Sequence, residues 1–283
     1  MAGQPLISIL MTAFNREKYI PEAIESVLVS TYKNFELIIV DDHSSDRTVE
    51  IARYYAEKDS RISIFINEER LGDYPNRNKA ASYAKGKYIK FVDSDDYIYP
   101  WGLEIMVNMM EQFPNADWGL CTLAQSEYLN QPFPVELTPK EAYEYDYFGP
   151  GLFSKGPISS IIKRDVFIRY GGFCSARMVG DFEMWNRLAQ KCNVLLMPDG
   201  IVWFRRHNEQ EMNEYKKYIK AYEKIKIDYL KHQNCPLCEQ QVKRIIRERK
   251  LSLVRQVFYY FFKGRNRDFY EALTLLKFHL LYK

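Results

Sequence analysis

The hydrophobic positions begin as one run, Leu6 to Met11, which stops at the segment Thr12-Ala-Phe-Asn-Arg16. Beyond it Ile20, Ala23, Ile24, Val27 and Leu28 recur at helical spacing, which predicts strand, loop, helix. The unit repeats. Phe35 to Val40 reads as a strand running into Asp41-Asp-His-Ser-Ser-Asp46, where Ser45 or Asp46 can cap a helix carrying Val49, Ile51, Ala52 and Tyr55. A strand at Ile62 to Ile66 precedes Gly72 and a helix from about Pro75 to Ala84; a strand at Lys87 to Val92 ends in Asp93-Ser-Asp-Asp96, with a helix at Gly102 to Met110 behind it. Apolar strands alternating with helices call for an α/β fold with a mostly parallel central sheet flanked by helices. Such sheets bind ligands beyond the carboxyl ends of their strands. Three polar loops, 12–16, 41–46 and 93–96, each follow a strand and are expected to converge on that rim.

Past Pro114 the pattern loosens. Leu120 to Gln125 is expected as a strand, and the Pro- and aromatic-rich stretch Gln131 to Phe153 shows neither a clean helix nor a repeat. Strands at Ser159 to Lys163, Val194 to Met197 and Ile201 to Phe204 are expected, with a short helix from Asp165 to Gly171-Gly172 and a helix from Asp181 to Lys191 facing Phe182, Trp185, Leu188 and Ala189 to the core. After Asn208 the chain reads as largely helical, with breaks near Asn234 to Pro236 and Gly264 to Asn266.

Composition adds little until it is divided along the chain. With 283 residues, 47% hydrophobic and 27% charged, a globular chain is expected rather than a fibrous or disordered one. The formal charge of +3 conceals an imbalance: Gln241 to Lys283 carries +8 and the first 240 residues −5. An acidic body gives no reason to expect nucleic acid as a partner, whereas the basic, aromatic end suits an anionic surface. No run reaches the roughly 18 apolar residues of a membrane-spanning helix, and Met1 to Pro5 does not resemble the start of a signal peptide, so the expected location is the cytoplasm. Five cysteines, of which only Cys235 and Cys238 lie close together, argue against a disulfide framework and make the pair a turn rather than a zinc site.

The candidate chemistry lies in the loops. In Asp93-Ser94-Asp95-Asp96, crowded carboxylates need a cation or hydrogen-bond donors, and a hard divalent ion such as Mn2+ or Mg2+ could bridge them to a diphosphate. An acidic turn capping the next helix would use the same residues. Asp41 and Asp42 end the second strand on the same rim, where carboxylates accept hydrogen bonds from base or sugar. Arg77, expected in the first turn of its helix, is the phosphate or carboxylate partner. Asp181, after Gly180, is placed as a general base, with Glu183 to orient it or bind an acceptor hydroxyl. His207 could ligate the cation and Arg205 or Arg206 meet phosphate.

Taken together, Thr12 to Arg16, Val40 to Asp46, Gly72 to Asn78, Asp93 to Asp96, Gly180 to Trp185 and Arg205 to His207 resemble, in order and spacing, the family 2 glycosyltransferases over roughly residues 5 to 210. The resemblance is to members making bacterial surface polysaccharide. It implies a GT-A fold with a Rossmann-like sheet: residues 1–115 as the nucleotide-sugar half, 116–210 as the acceptor half, and 211–283 as a helical extension. It implies an inverting transfer from a nucleoside-diphosphate sugar, with uridine the first guess for the base, to a saccharide or lipid-linked saccharide. By position, Thr12, Ala13 and Asp42 would contact the nucleoside with Asp41 in support, and Asn15, Arg16, Ser94 and Arg205 would line the donor site. Asp93 would approach the ribose or donor sugar, Arg77 would hold the donor, Asp95 would be the principal metal ligand with His207 nearby, and Asp181 would be the base. Where many relatives carry two consecutive acids this chain has Gly180 before Asp181, which keeps Glu183 as the competing base. A nucleotide-sugar-binding protein without transfer, and more remotely a metal-dependent nucleotidyltransferase, are the alternatives. Lys243 to Lys250 followed by Leu251 to Phe262 is expected to touch an anionic membrane at the inner face of the plasma membrane, to pack internally or to form a homodimer contact.

Overall fold

β1 (Ile7–Ala13) is buried along almost its whole length, as a strand covered on both faces must be. The computed structural model describes residues 3–121, 133–207 and 211–281, with the side chains of 211–213 excluded. β1 pairs in parallel with β2 (Phe35–Asp41), which pairs in parallel with β3 (Ile62–Ile66), and on its other side β1 pairs in parallel with β4 (Tyr88–Phe91). The crossovers are α1 (Ile20–Leu28), α2 (Thr48–Ala56) and α3 (Asp73–Ser82). Ile20, Ala23, Ile24 and Val27 of α1 enter a core with Ile7, Ile9, Leu37 and Ile39.

A two-residue strand β5 (Tyr97–Ile98) and helix α4 (Gly102–Gln112) lead to β6 (Ala116–Cys121). β6 begins four residues before the expected strand, whose last four residues lie outside the described segments. β7 (Val135–Leu137), α5 (Pro139–Phe148), β8 (Ser160–Lys163), α6 (Arg164–Arg169), α7 (Gly180–Ala189), β9 (Asn193–Met197) and β10 (Val202–Trp203) follow. Among the described residues the main sheet has eight strands in the order β3-β2-β1-β4-β8-β6-β9-β7. β8 runs antiparallel to both β4 and β6, and β7 antiparallel to β9; the remaining pairs are parallel. The switch at β8 joins the two halves of the sheet. β5 and β10 form a separate antiparallel pair, which brings the segment after β10 beside the loop after β4.

The helix α5 corrects the reading of 131–153 as having no clean helix. Only Ala142 and Tyr143 of it are buried, so its apolar stripe is too thin to read. Its start is nevertheless written in a capping box, with Thr138 accepting from the Glu141 N–H and Glu141 accepting from the Thr138 N–H at 2.9 Å.

The chain folds into two compact units, Met1–Tyr215 and Lys216–Lys283. The second contains α8 (Ile219–Lys231), α9 (Glu239–Phe262) and α10 (Asn266–Leu281). These three helices are fastened by one buried carboxylate: Glu223 on α8 accepts from Arg249 on α9 at 2.7 Å and contacts His279 Nε2 on α10 at 2.7 Å. Burial opposes ionisation of Glu223, but the hydrogen bonds from His279 and Arg249 outweigh it and hold its pKa at about 2. Cys235 and Cys238 are free thiols, and Cys238 occupies the N-cap of α9.

Candidate active site

The loops after β1 and β2 are stitched to each other at the carboxyl ends of their strands. Asn15 is in the left-handed region, with φ of 52°. It accepts from the Ser45 N–H at 2.9 Å through Oδ1, while its own N–H donates to Ser44 Oγ at 2.9 Å. Asp41, 1% exposed, accepts from the Ser44 N–H at 2.8 Å and from the Ser44 hydroxyl, a turn-forming use of the side chain. Asp42 is also buried: it accepts from the N–H groups of Leu71 and Gly72, both at 2.8 Å, and from Asn67 Nδ2 at 2.9 Å. Its carboxylate thus ties the end of β2 to the turn that launches α3. Gly72 is required in that turn, where φ is +89°. Thr12 and Ala13 end β1 beside Val40 and Asp41, and the Asp42 N–H donates to the Ala13 carbonyl at 2.8 Å.

α3 begins at Asp73, two residues before its expected start, so Arg77 lies in its second turn rather than at an anion-binding N-terminus. Its buried guanidinium bonds Asp73 at 2.7 Å and Asp93 at 2.5 Å. Burial disfavours the charge, and the two carboxylates more than restore it, raising the Arg77 pKa well above the usual value.

The acidic run after β4 gives each carboxylate a different environment. Asp93 takes Arg77. Asp95 Oδ2 meets Arg16 Nε at 3.0 Å and His207 Nε2 at 3.1 Å, so the loops after β1 and β10 are both drawn to one oxygen. Asp96 is 1% exposed; Oδ1 accepts from the Arg205 N–H at 2.9 Å, Oδ2 is buried without a hydrogen-bond partner, and burial followed by the charges of Asp93 and Asp95 pushes its pKa well up. Ser94 is buried between them. Beneath the loop lies fully buried Lys90, which donates to the Ile158 carbonyl and has its pKa lowered by burial to about 8. Arg205 donates from Nε to the Asp95 carbonyl at 2.8 Å and pairs with Glu22. His207 is packed against Tyr19, ring centroids 4.6 Å apart.

A carboxylate oxygen and an imidazole nitrogen in contact suit a divalent cation such as Mn2+ or Mg2+. Among the described residues no group of three or more His, Cys, Asp or Glu is arranged as a metal cage. Asp95 and His207 therefore offer such an ion two ligands already in contact, without a closed protein cage among the described residues.

Asp181 lies in the first turn of α7, within the other half. It is half-buried and accepts from the Tyr74 hydroxyl at 2.9 Å and from the Phe182 N–H at 2.7 Å. Burial raises its pKa to about 6, against the pull of those two hydrogen bonds. The position of Tyr74 explains the glycine that precedes this acid. A Cβ on Gly180 would stand 2.6 Å from Tyr74 Cδ2, inside any permitted contact, so the side chain of a second acid has no room there. Glu183 is not brought to this group. Its two oxygens hold Arg187 at 3.1 and 2.9 Å, and Arg187 in turn donates to the carbonyls of Tyr170 and Gly172. Asn78 of α3 clamps the same loop through Phe173, accepting at 2.9 Å and donating at 2.8 Å. Trp185 anchors α7 by stacking on Trp118 at 5.2 Å and donating to the Lys155 carbonyl at 2.6 Å. The residues that sequence reading missed are Tyr74 and Arg187; Tyr74 left no signal of its own, because its hydroxyl meets a residue 107 positions away.

A half of four parallel strands joined through one reversed strand to a second half, with an acidic loop at the rim, is the architecture of the GT-A glycosyltransferases. Solved structures agree: S. aureus TarS 1-349 in complex with UDP-GlcNAc superposes with a TM-score of 0.65 at 17% identity, covering 98% of this chain and 92% of that one. The mannosyltransferase PcManGT from Pyrobaculum calidifontis, in complex with GDP-Man and Mn2+, gives 0.62 at 14% identity, covering 100% and 89%. The sequence pattern of Glycosyl transferase family 2 matches residues 8–171, and the chain belongs to that family. An uncharacterized glycosyltransferase of Methanocaldococcus jannaschii is 41% identical over 173 residues, 57% of this chain and 60% of that protein. One from Haemophilus influenzae is 42% identical over 125 residues, 43% and 50% of the respective chains, so these matches span about half to three-fifths of the relatives' length. The putative teichuronic acid biosynthesis glycosyltransferase TuaG of Bacillus subtilis is 41% identical over 93 residues, 33% and 37% of the two chains.

Proposed function

We propose that this glycosyltransferase moves a sugar, with inversion, from a nucleoside-diphosphate sugar to a hydroxyl of a saccharide or lipid-linked saccharide in surface polysaccharide synthesis. The observation that carries the reading is Asp95, whose single oxygen gathers Arg16 and His207 from two other rim loops. In this reading the loop ends at Thr12, Ala13, Asn15, Asp41 and Asp42 cradle the nucleoside, and Asp93, fixed by Arg77, faces the ribose or donor sugar beside Ser94. Asp95 and His207 hold Mn2+ or Mg2+, which when bound offsets charge developing on the departing diphosphate. Arg16 and Arg205 add positive charge on the same side. Asp181 takes the proton of the acceptor hydroxyl as its oxygen bonds to the anomeric carbon and the bond from that carbon to the phosphate oxygen breaks. Its raised pKa keeps it basic enough to accept that proton near neutral pH.

The UDP-GlcNAc and GDP-Man of the neighbouring structures support a nucleotide-sugar donor, and uridine remains the first candidate for the base. A lipid-linked acceptor would place the work at the inner face of the plasma membrane. A panel of nucleotide sugars with Mn2+ or Mg2+, read by thermal stabilisation and nucleotide release, tests the reading. Asp95→Ala abolishes metal-dependent stabilisation, whereas Asp181→Asn keeps donor binding and loses transfer. No stabilisation by any donor with either metal would refute it.

A further inference from the structure

The C-terminal unit presents a surface that its own packing does not use. On α9, Leu251, Arg255, Phe258 and Phe262 recur at spacings of four, three and four, one stripe of the helix, and all four are exposed. The opposite side supplies the buried Leu253. The aromatic density peaks where α9 turns into α10: Phe261 is 63% and Phe262 79% exposed, and Tyr259 and Tyr270 are also open. Phe261 and Phe269 lie with ring centroids 5.8 Å apart, so the aromatics of both helices form one cluster at the turn. Arg255, Lys263, Arg265 and Arg267 surround it; Arg265 and Arg267 are matched by Asp268 and Glu271, and the stretch from Gln241 onward still carries +8.

We propose that the α9–α10 turn is an interfacial foot that inserts Phe258, Phe261 and Phe262 at the headgroup level of an anionic bilayer, with Arg255 and Lys263 on the lipid phosphates. No helix among the described residues is long and apolar enough to cross a membrane, so the aromatics enter the interface without spanning it. Charge selects lipid over a second copy of this chain: two such turns face to face would bring their cations together, whereas an anionic headgroup layer neutralises them. The inference extends the lipid-linked branch of the proposed function, yet it stands on a binding surface and can be tested without turnover.

The test is sedimentation of the full chain with vesicles of phosphatidylcholine alone and of equimolar phosphatidylcholine and phosphatidylglycerol. Binding is expected to the anionic vesicles only, falling with added salt. Replacing Phe261→Ser and Phe262→Ser together lowers partitioning about tenfold or more with an unchanged melting temperature, since both rings are exposed. Replacing Arg255→Gln and Lys263→Gln weakens it about fivefold per cation at low salt, and serves if the serine variant is less stable. Equal binding to both vesicle types, binding to neither, or partitioning untouched by both variants overturns the proposal. So does a dimer in light scattering that the serine variant dissociates while vesicle binding persists, because the occupant is then a second copy. Nucleotide-sugar stabilisation measured on the same preparations separates the two readings: its loss with vesicle binding intact refutes the catalytic proposal alone, and the reverse refutes the foot alone.

Discussion

Tyr74→Phe removes one oxygen and isolates one interaction. The Tyr74 hydroxyl donates to Asp181 Oδ1 at 2.9 Å from a side chain 4% exposed, so water cannot readily replace it. That hydrogen bond favours the ionised carboxylate against burial, and Asp181 sits at about 6 with it in place. A hydrogen bond to a charged group contributes about 1.5–3 kcal/mol and one pKa unit is about 1.4 kcal/mol, so its loss raises the Asp181 pKa by about one to two units. A base must be deprotonated to act, so the acidic limb of the rate profile moves upward by the same amount. At pH 7 transfer falls about two- to tenfold, and it recovers by about pH 9. The assay is nucleotide release from the donor, with acceptor present, across pH. A Tyr74→Phe profile that superimposes on the wild type, while Asp181→Asn is inactive, would refute the coupling between this tyrosine and the base.

Gly180→Ala forces a methyl to 2.6 Å from the Tyr74 ring and should cost about 1–3 kcal/mol, a fall of roughly 2–10 °C in melting temperature; an unchanged melt means the ring moves freely. Asp181, whose folded pKa is raised to about 6, contributes stability that is present below its unfolded pKa of about 4 and lost as pH rises through 6. Asp181→Asn should therefore melt a few degrees above the wild type at pH 7.5, although it loses transfer. Glu223 has the opposite sign: its lowered pKa gives stability that is full above about pH 4.3 and lost as pH falls through 2. Glu223→Ala strands Arg249 and His279 and should cost the C-terminal unit about 3–5 kcal/mol, read as faster hydrogen exchange across 219–281.

What could be read from the chain followed the physics of each signal. The strands β1 to β4 and their helices are local patterns, apolar runs and helical stripes, and they were legible to within one or two residues. β5 was not, because a two-residue strand exists only through Val202 and Trp203, about a hundred positions later. The acidic loop was legible as a loop of acids, but nothing in Asp93-Ser-Asp-Asp96 announces which carboxylate takes Arg77 and which takes His207. Arg77 shows the limit plainly. Its sequence reading as a phosphate or carboxylate partner in the first turn leaves the partner open, and with the helix starting two residues earlier Arg77 is a buried cation shared by the carboxylates of Asp73 and Asp93.

Asp181 and Glu183 differ in what each carboxylate already does. Glu183 commits both oxygens to Arg187, and Arg187 turns its other donors to the carbonyls of Tyr170 and Gly172, so this acid fixes the loop ahead of α7. An acceptor hydroxyl would have to displace a guanidinium to use it. Asp181 Oδ1 receives its two hydrogen bonds from Tyr74 and Phe182, which leaves Oδ2 for a proton. Glu183→Gln keeps an acceptor for Arg187 and should retain transfer within about tenfold, with a lower melting temperature and no displacement of the pH limb. Asp181→Asn should lose transfer by about a hundredfold or more, the scale of a missing general base. If the two variants exchange these phenotypes, the base is Glu183, and the glycine before Asp181 marks packing alone.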